Sequence, residues 1–398
     1  AADLLVSAIN QNVAKWHLAP ALTELEKRVV QWTGQFVGYD EAAGGAMVSS
    51  GSAANLMGLT VGRNVFLERA GVREKGLFGM APTVVYASTE THGSVDKSLD
   101  VLGIGSDQLR HIRVDGDFRI DMDALKAAIQ VDRSRGLQPF CVIGNAGTVN
   151  TGAIDPLTEL ASLCEAEGLW FHVDGSYGGL ASAVPELAGL YTGMEQADSL
   201  ALDYHKWLYQ PFEIGCTLVR DWTQLERTFK RSASYLDTDK DGGGRFDINE
   251  HHFQLSRNGK ALKVWMSLKA YGTRRFVEMI RKDVVLRAYF CDTLEAADDF
   301  RVVSNGPLAI ATFQYTGSSE SPVQSRRDEP GHETRIASLN AAMVPALERD
   351  GRIFLTGTIL DGRQVLRACI INHRKQRSDI DFMVGVLREV GRSVELAG

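Results

Sequence analysis

The chain has few of the features that would place it in a specialised class. Only five of its 398 residues are cysteine (Cys141, Cys164, Cys216, Cys291, Cys369). They are scattered, odd in number and without a C-x-x-C pair, so neither a disulfide framework nor a cysteine zinc site organises the fold. A reducing, cytoplasmic setting follows as the expectation. No apolar run approaches the roughly 20 residues needed to span a bilayer. Ala1-Ala2-Asp3-Leu4-Leu5 has no basic residue ahead of its apolar ones and does not read as a signal peptide. Basic residues are in the minority, 43 Lys and Arg against 50 Asp and Glu, for a net charge of -7. That argues against a general nucleic-acid binder, because neutralising phosphates takes an excess of cations.

What is present suits a sizeable enzyme-like globule. Hydrophobic residues make up 44% and charged residues 23%, ordinary values for a chain long enough for two or three domains. Leu22, Leu25, Val29, Trp32 and Phe36 recur at helical spacing. Short β-branched or apolar runs follow at Thr83–Ala87, Phe140–Ile143, Leu169–Val173, Ser199–Leu202 and Cys216–Val219. Helical patterns fill the gaps, as from Asp155 to Glu167, where Pro156 suits a first turn. This alternation predicts an α/β fold with a mostly parallel central sheet flanked by helices. In such sheets ligands bind beyond the carboxyl ends of the strands. Asp174 stands at such an end, and His205 and Lys206 follow another.

Lys260 to Lys282 reads as one long helix, broken or bent near Gly272. Beyond it, Arg301–Val303 and Ala309–Phe313 read as strands of a smaller α+β unit, and Thr316 to Thr334 as a polar exposed loop. The expected domain boundary lies near residue 270.

Four segments can carry chemistry, and each has a plainer alternative. Ser49-Ser50-Gly51-Ser52-Ala53-Ala54-Asn55 is a small-residue loop entering a helix. Its free N–H groups suit a phosphate, though a helix cap without ligand fits the same residues. It lacks the G-x-G-x-x-G of a dinucleotide site. His92, in Thr91-His92-Gly93-Ser94, follows a strand and can stack on a flat ring or simply sit in a loop. Asp174, in His172-Val173-Asp174-Gly175-Ser176, is a carboxylate for a pyridine nitrogen or a helix N-cap. Lys206, in Tyr204-His205-Lys206-Trp207, has apolar neighbours that would desolvate it and make it a nucleophile for a Schiff base. Its alternative is an ordinary surface charge.

The order of these segments resembles the pyridoxal-phosphate group II amino-acid decarboxylases, nearest to the aromatic-L-amino-acid decarboxylase branch. The likeness runs from Trp16 and Pro20–Glu26 to Leu366–Cys369, and its most specific piece is Ala197-Asp198-Ser199 leading to Asp203-Tyr204-His205-Lys206-Trp207. The resemblance implies the fold-type I architecture of pyridoxal 5'-phosphate enzymes with a smaller C-terminal α+β domain. It divides the chain into residues 1–20, the remnant of a dimer-clasp segment, 21–270, the large cofactor-binding domain, and 271–398, the small domain. It implies that Lys206 forms the internal aldimine, that Asp174 pairs with the pyridinium, and that His92 stacks on the ring and places the substrate carboxylate. Gly51 and Ser52 would hold the phosphate, with Thr148 and His205 near the cofactor. Ser176 stands where the family usually has alanine against the other ring face.

The implied reaction is decarboxylation of an L-amino acid to the amine through a quinonoid carbanion. Tyr235, in Phe229–Leu236, resembles the mobile-loop tyrosine that protonates the α-carbon; related aldehyde synthases carry phenylalanine there. That loop commonly reaches into the neighbouring subunit, so a homodimer with sites near the interface is implied. Alternatives are another fold-type I activity, such as an aldehyde synthase or lyase, or a catalytically silent scaffold. Relatives also carry a segment ahead of the point matching Ala1, so either the chain is truncated or its dimer is built differently. Asn12 and Ala14 lie near positions that border the neighbour's pocket in relatives. An aromatic amino acid is the first expectation for the substrate, with an aliphatic or diamino acid as the alternative. Asp237-Thr238-Asp239-Lys240-Asp241-Gly242 mimics the opening of a calcium loop, but Ile248 occupies the position of the bidentate glutamate. No metal is expected.

Overall fold

The computed structural model describes residues 1–40, 43–231, 246–317 and 331–397. Tyr235, the Asp237–Gly242 run and most of the polar Thr316–Thr334 stretch lie outside the described residues. The chain divides into two compact units, one of Ala1–Thr148 and Ile154–Val277, the other of Val149–Ala153 and Glu278–Gly398. Among the described residues, no helix is long and apolar enough to cross a membrane.

In the first unit, the described residues form a seven-stranded sheet. Its strands are β1 (Gly44–Val48), β2 (Thr83–Ser88), β3 (Leu109–Ile112), β4 (Gln138–Asn145), β5 (Trp170–Asp174), β6 (Ser199–Asp203) and β7 (Gly215–Val219). The spatial order is β1-β7-β6-β5-β4-β2-β3. Pairings from β3 through β6 are parallel, and β7 runs against both its neighbours. Strands β2, β5, β6 and β7 are buried along their whole length, which is why they read as continuous apolar runs rather than alternating ones.

The helix Gly51–Phe66 crosses beneath β5, β6 and β7. Ser50 caps it, its hydroxyl accepting the Ala53 N–H at 3.5 Å. Gly51, Asn55, Gly58 and Gly62 share one face of this helix at four-, three- and four-residue steps. The glycines make room for large neighbours. A Cβ at Gly58 would lie 2.8 Å from Cε1 of His172, and one at Gly62 would lie 2.8 Å from Cδ1 of Trp170. Each glycine inside a helix costs about 1 kcal/mol relative to alanine. Here the close seating on the sheet offsets that cost.

The long helix Ala261–Glu295 breaks at Gly272, whose φ of 75° and ψ of 156° are not helical. In the second unit, β8 (Phe300–Ser304), β9 (Ile310–Tyr315), β10 (Thr356–Leu360) and β11 (Arg363–Cys369) form an antiparallel sheet in the order β10-β11-β9-β8. Asp361-Gly362, with φ of 47° and 73°, closes the β10–β11 hairpin as a two-residue turn. The core of this unit gathers Phe313, Tyr315 and Leu366 from its sheet, Phe290 from the end of the Ala261–Glu295 helix, and Met343 and Leu387 from the helices His332–Asp350 and Arg377–Ala397.

Candidate active site

Parallel pairing of β4, β5 and β6 aligns their carboxyl ends, with Asn145 opposite Asp174 and Asp174 opposite Ala201. Asp174 is the last residue of β5. Asp203 is the last of β6, and the single helical turn Tyr204–Trp207 follows it directly. Two fully buried side chains clamp that turn: Tyr204, whose hydroxyl meets Thr33 Oγ1 at 2.6 Å, and Trp207, stacked on Tyr177 with ring centroids 5.0 Å apart. The two residues between them are thereby presented to the site.

Lys206 keeps 37% of its side chain exposed, with Nζ 4.0 Å from Asp203 Oδ2. Its side chain is therefore only partly buried, less enclosed than its apolar neighbours in sequence suggest. Trp207 turns inward and takes the burial, while the amine stays open to a ligand.

Asp174 is buried and accepts two hydrogen bonds, from the Asn55 Nδ2–H at 2.8 Å and from the Ser176 backbone N–H at 3.0 Å. Burial alone would raise its pKa. The Ser176 hydroxyl dipole, the Lys206 charge and the two N–H donors outweigh burial and hold the carboxyl below its ordinary value. The Ser176 hydroxyl itself lacks a hydrogen-bond partner.

Asp203 behaves in the opposite sense. Burial pushes it up to about 6 against the pull of Lys206 and of the Gly51 N–H, which donates to Oδ2 at 3.0 Å. His205 Nδ1 lies 2.8 Å from Asp203 Oδ1 without hydrogen-bond geometry. Burial, then the Lys206 charge, pushes His205 down, and its ring packs on Phe212 at 4.1 Å.

Gly51 and Ser52 thus differ in what they offer. The Gly51 N–H is given to a carboxylate, and Gly51 contributes mainly its missing side chain, since a Cβ there would lie 2.5 Å from Ser176 Oγ. Ser52 is the member of the pair exposed at the helix N-terminus. Thr148 is buried just past the end of β4. His92 is exposed at the start of the Ser94–Val101 helix, its Nδ1 facing both the Ser94 hydroxyl at 2.8 Å and the Ser94 N–H at 3.1 Å.

Asn55 escaped the reading of residue types, because a lone asparagine in a helical pattern carries no signal. The interior glycines 58 and 62 on its face were the available clue, since they mark a helix pressed against something large.

This donor set fits a pyridine ring carrying an aldehyde and a phosphate. Asp174 supplies an ionised carboxylate suited to a protonated ring nitrogen. Lys206 supplies an open amine. The Ser52 end of a 16-residue helix suits a phosphate.

Comparison with known proteins agrees. Residues 1–316 match the pyridoxal-dependent decarboxylase conserved domain. The chain is 35% identical over 397 residues to an aromatic-L-amino-acid decarboxylase of Bacillus atrophaeus, covering 100% of this chain and 79% of that protein. It is 29% identical to an acidic amino acid decarboxylase of Bos taurus, covering 99% of this chain and 75% of that one. The solved structure of Oryza sativa TDC with PLP and tryptamine superposes with a TM-score of 0.91 at 26% identity, over 99% of this chain and 81% of that one. With a buried carboxylate, an open lysine and a helix N-terminus gathered at the carboxyl ends of its parallel strands, the chain belongs to the pyridoxal-dependent decarboxylase family and is an amino-acid decarboxylase that uses pyridoxal 5'-phosphate.

Proposed function

We propose that the chain converts an L-amino acid, in the first place an aromatic one, to its amine and carbon dioxide, with Lys206 as the amine that holds the cofactor aldehyde. The observation that supports this most is the state of Asp174: a buried carboxylate kept charged by three neighbours, Asn55, Ser176 and Lys206. When bound, the cofactor supplies the electron sink for the bond that breaks. Asp174 keeps a proton on the ring nitrogen. Ser52 binds the phosphate, and Thr148, Ser176 and His205 line the remaining surface. His92 offers a flat ring and an Nε2–H toward the substrate carboxylate. Tyr235 gives the proton to the α-carbon. The aromatic assignment is supported by the likeness to the Bacillus atrophaeus protein; the Bos taurus relative is why acidic amino acids belong in the same screen.

The protein acts as a cytoplasmic homodimer in this reading. All five cysteines are free thiols, which suits a reducing compartment. Asn12 and Ala14 would border the partner's substrate pocket. The experiment is a screen of L-amino acids for carbon dioxide release, with amine and aldehyde measured in the same reaction. Release from tyrosine, tryptophan or dihydroxyphenylalanine with equimolar amine is expected. Release only from acidic or diamino substrates overturns the aromatic assignment. Aldehyde as the main product makes the chain an aldehyde synthase. Lys206→Ala should lose the visible absorbance of the bound cofactor, and Tyr235→Phe should shift product from amine toward aldehyde.

A further inference from the structure

We propose that Asn55 is a positioning residue of the site, its side-chain amide tying the Asp174 carboxylate and the His92 ring into one hydrogen-bond sequence with a single consistent direction. The sequence starts at Trp170, whose Nε1–H donates to Ser199 Oγ at 2.9 Å. Ser199 Oγ meets His172 Nδ1 at 2.8 Å, and His172 Nε2 meets Asn55 Oδ1 at 2.9 Å. Asn55 Nδ2 then reaches Asp174 at 2.8 Å and Ser94 Oγ at 3.2 Å. Ser94 Oγ in turn meets His92 Nδ1 at 2.8 Å.

The direction follows from chemistry at both ends. Asp174, ionised, only accepts. Asn55 must therefore turn its amino group to Asp174 and its carbonyl oxygen to His172. His172 Nε2 must then carry a hydrogen. Burial pushes His172 down to about 4, with the Asp174 charge opposing, so the ring is neutral and Nδ1 is bare. The Ser199 hydroxyl donates to it while accepting from Trp170. On the other branch, Ser94 Oγ accepts from Asn55, and its own hydrogen goes to His92 Nδ1. The Ser94 backbone N–H points at the same nitrogen at 3.1 Å and can only donate. His92 therefore carries its hydrogen on Nε2.

Every polar atom of the Asn55 side chain has a partner, and the residue is 1% exposed. No other proteinogenic side chain of this length offers one acceptor and two donors in one plane. Aspartate, the same shape, turns both donors into acceptors and sets a second carboxylate against Asp174. Leucine, of similar volume, leaves His172, Asp174 and Ser94 all without their partner.

This inference rests on the reading that Asp174 and His92 face the cofactor, so its test begins without cofactor. In the cofactor-free wild-type protein, nitrogen-15 NMR of the histidine rings should find His172 and His92 both protonated at Nε2, with signals assigned by His172→Gln and His92→Gln. His172 protonated at Nδ1, or cationic at neutral pH, overturns the proposal. Pyridoxal phosphate is then titrated into Asn55→Asp and Asn55→Leu, with folding followed by circular dichroism. Both should bind at least tenfold more weakly than wild type, and Asn55→Asp should shift the pH midpoint of the bound cofactor's visible absorbance by a unit or more. A folded Asn55→Asp that binds within twofold of wild type with an unmoved midpoint overturns the proposal. If neither variant folds, the wild-type tautomers decide alone. Asp174→Asn that leaves cofactor binding unchanged would instead remove the cofactor reading while the tautomers stand.

Discussion

The Gly51 amide donates to the Asp203 carboxylate at 3.0 Å, bringing together residues 152 positions apart. Burial raises that carboxyl from 3.8 to about 6 despite the bond and the nearby Lys206. Between those two values the folded protein holds more protons at this site than the unfolded chain does. Stability from this group is therefore lost as pH rises from about 4 to 6, by about 3 kcal/mol in all. Asp203→Asn keeps an oxygen for the Gly51 N–H and removes the titration. Cofactor-free Asp203→Asn is expected to exceed wild type by about 1–3 kcal/mol at pH 7 and to match it below pH 4. Urea melts across that range check it; an advantage that is the same at pH 4 and pH 7 refutes it.

Gly58→Ala tests the seating of the Gly51–Phe66 helix. Helix propensity alone favours alanine by about 1 kcal/mol. The added Cβ would lie 2.8 Å from His172 Cε1, 2.9 Å from His172 Nδ1 and 3.1 Å from Ser199 Oγ, all fully buried. Overpacking should win, for a net loss of about 1–3 kcal/mol in denaturant melts. A stabilised variant would mean that the helix moves off the sheet freely.

Gly51 and Ser176 form a second tight pair, since a Cβ at 51 would lie 2.5 Å from Ser176 Oγ and 2.7 Å from its Cβ. Gly51→Ala should destabilise by about 1–3 kcal/mol. Adding Ser176→Gly should recover much of the loss, giving a coupling of about 1 kcal/mol in a double-mutant cycle. Additive effects would show that the two residues do not press on one another.

Glu26 and Arg257 form a buried ion pair at 2.7 Å, and Glu26 also accepts the Met47 N–H at 3.2 Å. The remaining Glu26 oxygen and two Arg257 nitrogens have no hydrogen-bond partner. Such a pair adds little net stability, but removing one member leaves the other charge buried alone. Glu26→Gln is expected to lose about 3–5 kcal/mol, and Glu26→Leu combined with Arg257→Met to recover at least half of that. Thermal melts of both variants suffice; a Glu26→Gln loss under 1 kcal/mol would show that the pair is hydrated.

The parts of this molecule that could be read from its residues are those in which local pattern and tertiary environment agree. Strands β2, β4, β5, β6 and β7 announced themselves because both faces are buried, and apolar runs then need no partner to be recognised. Asp174 and Lys206 draw attention as candidates because strand ends in such sheets face ligands. Strand β1 was hidden by Gly44-Gly45, which weaken any strand signal yet are required here, since a Cβ at Gly45 would meet the Thr217 carbonyl oxygen at 2.2 Å. Strand β10 was hidden by mostly exposed residues and β11 by its mixed burial, although the Asp361-Gly362 turn marks their hairpin. Lys206 is more open than its sequence context suggests, because an apolar neighbour in sequence says nothing about which side chain turns inward. Asn55 was invisible for the same reason in reverse: its worth lies in the three side chains it touches, His172, Asp174 and Ser94, all distant in sequence.

The Gly51–Phe66 helix has one more consequence. Its first turn carries Ser52, exposed at the helix N-terminus, and its second carries the amide that grips Asp174, with close glycine contacts beneath both. In the reading proposed above it works as a caliper, fixing the span between a phosphate at Ser52 and a ring nitrogen at Asp174. Neither jaw can be adjusted without moving the other. A ring lacking its phosphate would fail to seat one jaw and would find the other displaced, so the dephosphorylated vitamin should be rejected more strongly than the loss of a single anion contact would require.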